Sequence, residues 1–69
     1  MSNKFSEQIS ALRVENNLTR SQLAQKLGVS VRLISYWENG KRECDFDMLI
    51  KIANLFNVSI DYLLGRNEY

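Results

Sequence analysis

The chain has 69 residues, of which 45% are hydrophobic and 25% charged, and its formal net charge is +1. This is typical of one soluble globular domain, and no apolar stretch is long enough for a membrane span or a secretory signal, so a cytoplasmic protein without a membrane partner is expected. One cysteine and no histidine argue against a disulfide, a metal site, a cofactor and acid–base catalysis, and therefore against an enzyme.

The first two predicted helices cover residues 4–16 and 20–27. Thr19 and Gln22 have the spacing of a capping box, in which each side chain bonds the other residue's backbone N–H at the start of the second helix. Gly28 ends that helix, because glycine adopts a positive φ without steric cost. The apolar residues that recur at helical spacing and are predicted to be buried are Phe5, Ile9, Leu12, Leu23, Ala24 and Leu27.

The third predicted helix covers residues 31–38. Ser30 is its predicted N-cap, and an Asn-Gly pair follows it as a stop signal. Ile34 and Trp37 fall on one side of this helix, flanked by Val31 or Leu33. The opposite side is predicted to carry Arg32, Ser35 and Tyr36.

Two more helices complete the prediction, and no segment has the alternation of a strand. Asp45 is the predicted cap of a helix that ends near residue 56, and Ser59 caps a short last helix that Gly65 ends. Cys44 is interpreted as a small side chain in the preceding loop, with a redox-sensing thiol as the alternative. Helical spacing is kept by Phe46, Leu49, Ile50, Ala53 and Phe56 in the fourth helix and by Ile60, Leu63 and Leu64 in the fifth.

Charge is distributed unevenly along the chain. Residues 18–42 hold five basic side chains and one acidic side chain, whereas the remainder holds four basic and seven acidic ones. A basic segment in an otherwise acidic domain favours a face directed at a polyanion, although a merely solvated surface gives the same pattern.

The second and third helices carry the main functional signal. A small residue, Ala24, is followed by Gly28 and the apolar Val29, and then by a helix that packs inward through Ile34 and Trp37. A small residue lets two helices cross steeply, and the glycine permits the tight turn between them. The second of the two helices is then presented outward, as a helix that enters the DNA major groove must be.

The sequence resembles the helix-turn-helix proteins of the lambda-repressor and Cro type, which include phage repressors and many bacterial relatives. The resemblance implies an all-α, compact five-helix DNA-binding domain over residues 1–69, with the helix-turn-helix at about 20–39 and a frayed tail at 66–69. The third helix would be the recognition helix. The matching segments are residues 18–30, 34–42, 49–53 and 57–65.

The resemblance also assigns DNA contacts. Arg32 is expected to donate two hydrogen bonds to guanine and Val31 to pack on a thymine methyl group, while Ser35 and Tyr36 face base edges or phosphate. The residues expected at phosphates are Arg20, Ser30, Asn39, Lys41 and Arg42.

Further roles follow from the same resemblance. Arg13 and Glu38 are expected to form a partly buried structural ion pair that orients the recognition helix, and Trp37 is expected in the core. Because one domain reads only a half-site, a homodimer on double-stranded DNA is expected. The dimer-interface candidates are Phe46, Ile60, Tyr62 and Leu63, of which Ile60 and Leu63 have core packing as their alternative.

The sequence therefore predicts a sequence-specific transcriptional regulator, most simply a small phage or bacterial repressor or Cro-like protein, with a toxin–antitoxin or restriction-system controller as variants. The alternative is a protein-interaction module, an antirepressor or modulator that binds another regulator and binds DNA weakly. The near-neutral charge and the apolar Val31 and Leu33 motivate this alternative. Cys44 departs from the family pattern, which commonly has proline there, so a looser loop is expected.

Overall fold

Five α-helices and no strand are present in residues 4–66, the part of the chain that the computed structural model describes. Each predicted helix is confirmed, and only the first differs, being one residue shorter at each end. The predicted tail beyond Arg66 lies outside the described residues. The helices are α1 (Phe5–Glu15), α2 (Arg20–Leu27), α3 (Val31–Glu38), α4 (Phe46–Phe56) and α5 (Ile60–Leu64).

The helices begin where the sequence supplies caps. At α2, the Gln22 N–H donates to Thr19 Oγ1 at 3.0 Å and the Thr19 N–H donates to Gln22 Oε1 at 2.8 Å, so the capping box is confirmed. Such bonds satisfy amides that the first helical turn leaves without a partner. Side-chain oxygens of Ser30, Asp45 and Ser59 cap α3, α4 and α5 in the same way.

The turn between α2 and α3 depends on Gly28, whose φ is +73°. The Val29 N–H donates to the Ala24 carbonyl at 3.0 Å and the Gly28 N–H to the Gln25 carbonyl at 3.3 Å. This is the Schellman pattern, which needs a left-handed residue after the helix. An L-residue at position 28 would therefore be strained.

The core lies where α3 packs between α1 and α2, with α5 against α1 and α4 against α5. Trp37 and Phe5 meet edge to face, with ring centroids 6.1 Å apart and an interplanar angle of 68°, a favourable aromatic geometry. The buried Nε1 of Trp37 has no hydrogen-bond acceptor among residues 4–66. The core residues are Phe5, Ile9, Leu12, Leu23, Ala24, Leu27, Ile34, Trp37, Leu49, Ile52, Ala53 and Leu63.

Helix α4 buries only some of the apolar residues that keep its helical spacing. Leu49, Ile52 and Ala53 are buried, whereas Phe46 is 83% exposed and Ile50 is 48% exposed. With about 100° between successive residues, Phe46 and Ile50 lie at and beyond the edge of the buried stripe. These two side chains therefore keep the helical period without belonging to the buried stripe.

Polar bonds tie distant elements together. The Lys4 N–H donates to the Leu64 carbonyl at 3.1 Å, and Gln8 Nε2 donates to the Tyr62 carbonyl at 3.0 Å, which joins α1 to α5. A further bond joins α4 to α2, because Lys51 Nζ donates to the carbonyl of Leu27 at the end of α2. None of the described helices has the length and hydropathy that crossing a bilayer requires.

Candidate nucleic-acid interface

Helix α3 separates its side chains into a buried face and a free face. Ile34 and Trp37 are buried. The four residues predicted to contact bases span an arc of about 140°, at about 100° per residue, and its centre is opposite the buried pair. They are Val31, Arg32, Ser35 and Tyr36.

Exposure on this face is greatest at the start of the helix. Val31 is 43% exposed, and Arg32 is also exposed, while Ser35 and Tyr36, one turn later, are half-buried. The first turn is thus the part that a groove would accommodate most easily. It offers one guanidinium group and one branched apolar side chain.

Ser30 and Leu33 define how α3 begins. The Leu33 N–H donates to Ser30 Oγ at 3.1 Å, which leaves the hydroxyl proton free to be donated elsewhere. Leu33 is half-buried and packs against the core. Of the two apolar residues at this helix start, Leu33 therefore flanks the buried face and only Val31 is exposed.

Glu38 holds two arginines at the end of α3. Arg13 donates from Nε to Glu38 Oε2 at 2.6 Å and from Nη2 to Oε1 at 3.3 Å, so the structure contains the ion pair that the resemblance implied. Arg13 Nη1 also donates to the Leu18 carbonyl at 2.9 Å. The carboxylate side chain is 2% exposed and that of Arg13 is 15% exposed. The pair therefore fixes α1 against α3.

Arg20 is the second partner of Glu38, and sequence reasoning missed this bond. Its Nε donates to Glu38 Oε1 at 3.0 Å, while its side chain stays 48% exposed. Two guanidinium groups share one carboxylate, so one positive charge remains at the start of α2. A guanidinium bound through Nε keeps its two Nη groups for an acceptor that offers two oxygen atoms, such as phosphate.

The loop after α3 supplies more cations. Asn39 is the C-cap of α3, and Lys41 and Arg42 are exposed beyond it. The Lys41 N–H donates to the Tyr36 carbonyl at 2.9 Å, which fixes where the loop leaves the helix. The basic loop therefore begins at the C-terminal end of α3, with exposed Glu43 following.

The expected dimer-interface residues fall into two groups. Phe46 is 83% exposed, Ile60 is 37% exposed and Tyr62 is half-buried, so all three offer surface. Leu63 is fully buried in the core. Of the two alternatives for Leu63, the structure therefore supports core packing, and this side chain offers no surface for a dimer interface.

Cys44 is half-buried between two surface grooves of about 250 and 170 Å³. Burial raises the pKa of its thiol to about 11, with a smaller contribution from the neighbouring carboxylates of Asp45 and Glu43. The thiolate is the reactive form of cysteine, so this environment argues against the redox-sensing alternative.

Alkylation of Cys44 tests this environment directly, since it is the only cysteine. At pH 8 the folded protein is expected to react with iodoacetamide about 100-fold more slowly than the urea-unfolded chain, because the ordinary thiol pKa is about two units lower.

The raised pKa of Cys44 also makes the stability of the fold depend on pH. The thiol of the unfolded chain ionises at lower pH than that of the folded chain, so its contribution to stability is intact below the ordinary pKa and is lost as pH rises to about 11. A folded-state midpoint near 9 would contradict the assignment.

Comparison with known proteins identifies relatives of the whole domain. The sequence model of the helix-turn-helix family HTH_3 matches residues 9–63. The HTH-type transcriptional repressor RghR of Bacillus subtilis is 58% identical over 66 residues, which are 94% of this chain and 49% of that protein. Other curated relatives are longer too, and the chain spans 52%, 32% and 44% of three of them.

Solved structures agree with the described fold. A transcriptional regulator from Listeria innocua aligns over 100% of this chain and 64% of that one, with a TM-score of 0.90 and 33% identity. The P22 c2 repressor in complex with a synthetic operator aligns over 91% of this chain and 96% of that one, with a TM-score of 0.84 and 30% identity. The same fold forms 34% of hydroxypropylphosphonic acid epoxidase from S. wedmorenis (91% of this chain, TM-score 0.82, 30% identity), so it also occurs as a part of an enzyme.

Proposed function

Because this chain belongs to the lambda-repressor type of the helix-turn-helix family, we propose that it binds double-stranded DNA in a sequence-specific manner and regulates transcription. The observation that carries the proposal is α3, a short helix with one buried face and with Val31 and Arg32 exposed at the start of the opposite face. The major groove of B-DNA admits such a helix, and its base edges present a distinct pattern for each base pair. The proposal takes further support from relatives that are named transcriptional regulators.

Base recognition is assigned to the free face of α3. Arg32 donates two hydrogen bonds to a guanine, and Val31 packs on a thymine methyl group. Ser35 and Tyr36, deeper on the same face, contact a base edge or the adjoining phosphate. Because Val31 lies beside Arg32, this pair of side chains favours a DNA sequence in which a T·A base pair adjoins a G·C base pair.

Phosphate contacts are assigned to the groups that border this face. Arg20 uses the Nη groups that Glu38 leaves free, and Ser30 donates its hydroxyl proton. Such contacts determine register and affinity, and their energy depends strongly on salt. The remaining phosphate contacts in the proposal come from Asn39, Lys41 and Arg42.

A homodimer on DNA forms part of the proposal, because two half-sites give the specificity that one small interface lacks. Its interface uses Phe46, Ile60 and Tyr62. Phe46 is the most exposed of the large apolar side chains in residues 4–66. Exposed aromatic side chains of this kind are typical anchors of protein interfaces.

Selection of bound duplexes from a randomised pool tests the function, at about 0.1–0.15 M salt, where non-specific binding is weakened. The expected result is an enriched inverted repeat with half-sites about one helical turn apart. Folded protein that enriches no sequence would overturn the proposal. That result would favour the second candidate function, a module that binds another regulator. The exposed Val31 on the outer face of α3 supports this candidate.

Replacing Arg32 with alanine tests the base assignment. The Kd for the selected operator is expected to rise by about 5-fold to 150-fold, which corresponds to about 1–3 kcal/mol, and the preference at one base pair is expected to relax. Arg32→Lys keeps the charge but loses the bidentate geometry, so it is expected to recover affinity without recovering the base preference. Unchanged affinity and preference in Arg32→Ala would remove Arg32 from the recognition surface.

A further inference from the structure

Lys51 connects α4 to the end of α2. Its Nζ donates to the Leu27 carbonyl at 3.0 Å, a bond between residues 24 positions apart. Leu27 is the last residue of α2, immediately before the turn that leads to α3. A side chain of α4 therefore contacts the start of the turn between α2 and α3.

The bond meets a need of the α2 terminus. The last four carbonyl groups of a helix have no intrahelical partner. Gly28 and Val29 satisfy the carbonyls of Gln25 and Ala24. The Leu27 carbonyl receives its donor from Lys51, whose positive charge also complements the negative end of the helix dipole.

The position of Nζ relates this contact to the turn itself. A Cβ built on Gly28 would lie 3.9 Å from Nζ, so the ammonium group sits next to the one residue of the turn with a positive φ. Three residues later the chain enters α3 at Val31. A shift of the turn would therefore change the angle and height at which α3 leaves the domain.

We propose that Lys51 is a positioning residue for DNA binding: it holds the turn between α2 and α3 from α4, and so orients the recognition helix, without contacting DNA itself. This inference rests on the proposed function. It assigns to α4 a role in recognition in addition to its role in the core. The contact is a single hydrogen bond from a residue outside the hydrophobic core, so its loss is expected to leave the core packing in place.

The test compares Lys51→Met, Lys51→Arg and Lys26→Met with the original protein, at a temperature where circular dichroism shows each to be folded. Lys51→Met keeps the aliphatic stem and removes the donor and the charge. Lys51→Arg retains both. Lys26→Met removes the same charge one residue from Leu27, at a side chain for which the described residues show no hydrogen bond.

The expected results are a rise of about twofold to fivefold in the Kd of Lys51→Met for the selected operator, the range that a helix-terminus charge supports, and an unchanged salt dependence. The amides of Gly28 and Val29 are expected to exchange faster with solvent. Lys51→Arg is expected to recover the Kd, and Lys26→Met to change it by less than Lys51→Met does.

Other outcomes are distinguishable. A salt slope that falls by about 0.9 in Lys51→Met would mean that Lys51 contacts a phosphate, which would overturn the positioning role. An unchanged Kd, or equal effects of Lys51→Met and Lys26→Met, would also overturn it. If the original protein binds no duplex, the proposed function fails; the amide exchange of Gly28 and Val29 then still reports whether Lys51 holds the turn, and unchanged exchange would refute that too.

Discussion

Replacement of Trp37 by alanine is expected to lower the free energy of unfolding by about 3–5 kcal/mol. Trp37 is one of the fully buried side chains of the core and packs edge to face on Phe5. Its removal leaves a cavity at the base of α3, the helix that joins α1 and α2 in one core. Urea unfolding followed by circular dichroism measures the change. In a domain of this size such a loss takes most of the stability.

Trp37→Phe is the matched control. It keeps an aromatic ring against Phe5 and removes an indole Nε1 that has no acceptor among residues 4–66. The cost is expected to stay below about 1.5 kcal/mol, as for other substitutions that nearly preserve shape. A Trp37→Ala variant that lost less than about 1 kcal/mol would show that α3 does not depend on this side chain.

Replacement of Glu38 by alanine is expected to lower the free energy of unfolding by about 3 kcal/mol, because it leaves a largely buried cation without its partner. Arg13 donates to both carboxylate oxygens with a side chain only 15% exposed. Removing one member of such a pair costs more than the pair itself contributes. Thermal and urea unfolding at neutral pH measure the loss.

Arg20→Ala separates the two partners of Glu38. Arg20 is 48% exposed, so its bond to the carboxylate is expected to contribute less than about 1 kcal/mol. A double-mutant cycle between Arg13 and Glu38 then isolates their coupling. Equal losses in Arg20→Ala and Glu38→Ala would contradict the assignment of the structural role to the Arg13 pair.

Local features of this fold were predictable from the sequence because their determinants are close in the chain. The caps at Thr19, Ser30 and Asp45 act on the residue three positions later. Gly28 predicts the turn by itself, because glycine adopts the required positive φ without steric cost. The division of α3 into two faces follows from the helical period applied to Ile34 and Trp37.

Features that depend on packing between distant residues were harder to predict from the sequence. The bond from Arg20 to Glu38 spans 18 residues, and the bond from Lys51 to Leu27 spans 24. No local pattern signals either one, since each depends on where two helices meet. The two alternatives for Leu63, dimer interface and core, stayed open because α5 has five residues, too few for a period to separate an inward from an outward side chain.

The DNA-contact positions of the candidate site come from the family resemblance and stay predictions. The resemblance supplied Arg13 and Glu38 as a pair, and the structure contains it. It gave no reason to expect a second guanidinium on the same carboxylate, because position 20 had been interpreted only as a phosphate contact. The helical period alone did not show that Phe46 lies outside the buried stripe of α4, because the period gives the spacing of a stripe but not its edges.

The location of Trp37 makes α3 observable through the intrinsic fluorescence of the protein. It is the only tryptophan of the chain, and it lies in α3 with its indole shielded from solvent and its Nε1 without an acceptor in residues 4–66. An indole in these surroundings emits at short wavelength, and its N–H resonance is a single, well-separated NMR signal. Both signals report how α3 is seated against α1, so an event at the outer face of that helix is detectable without attaching a dye.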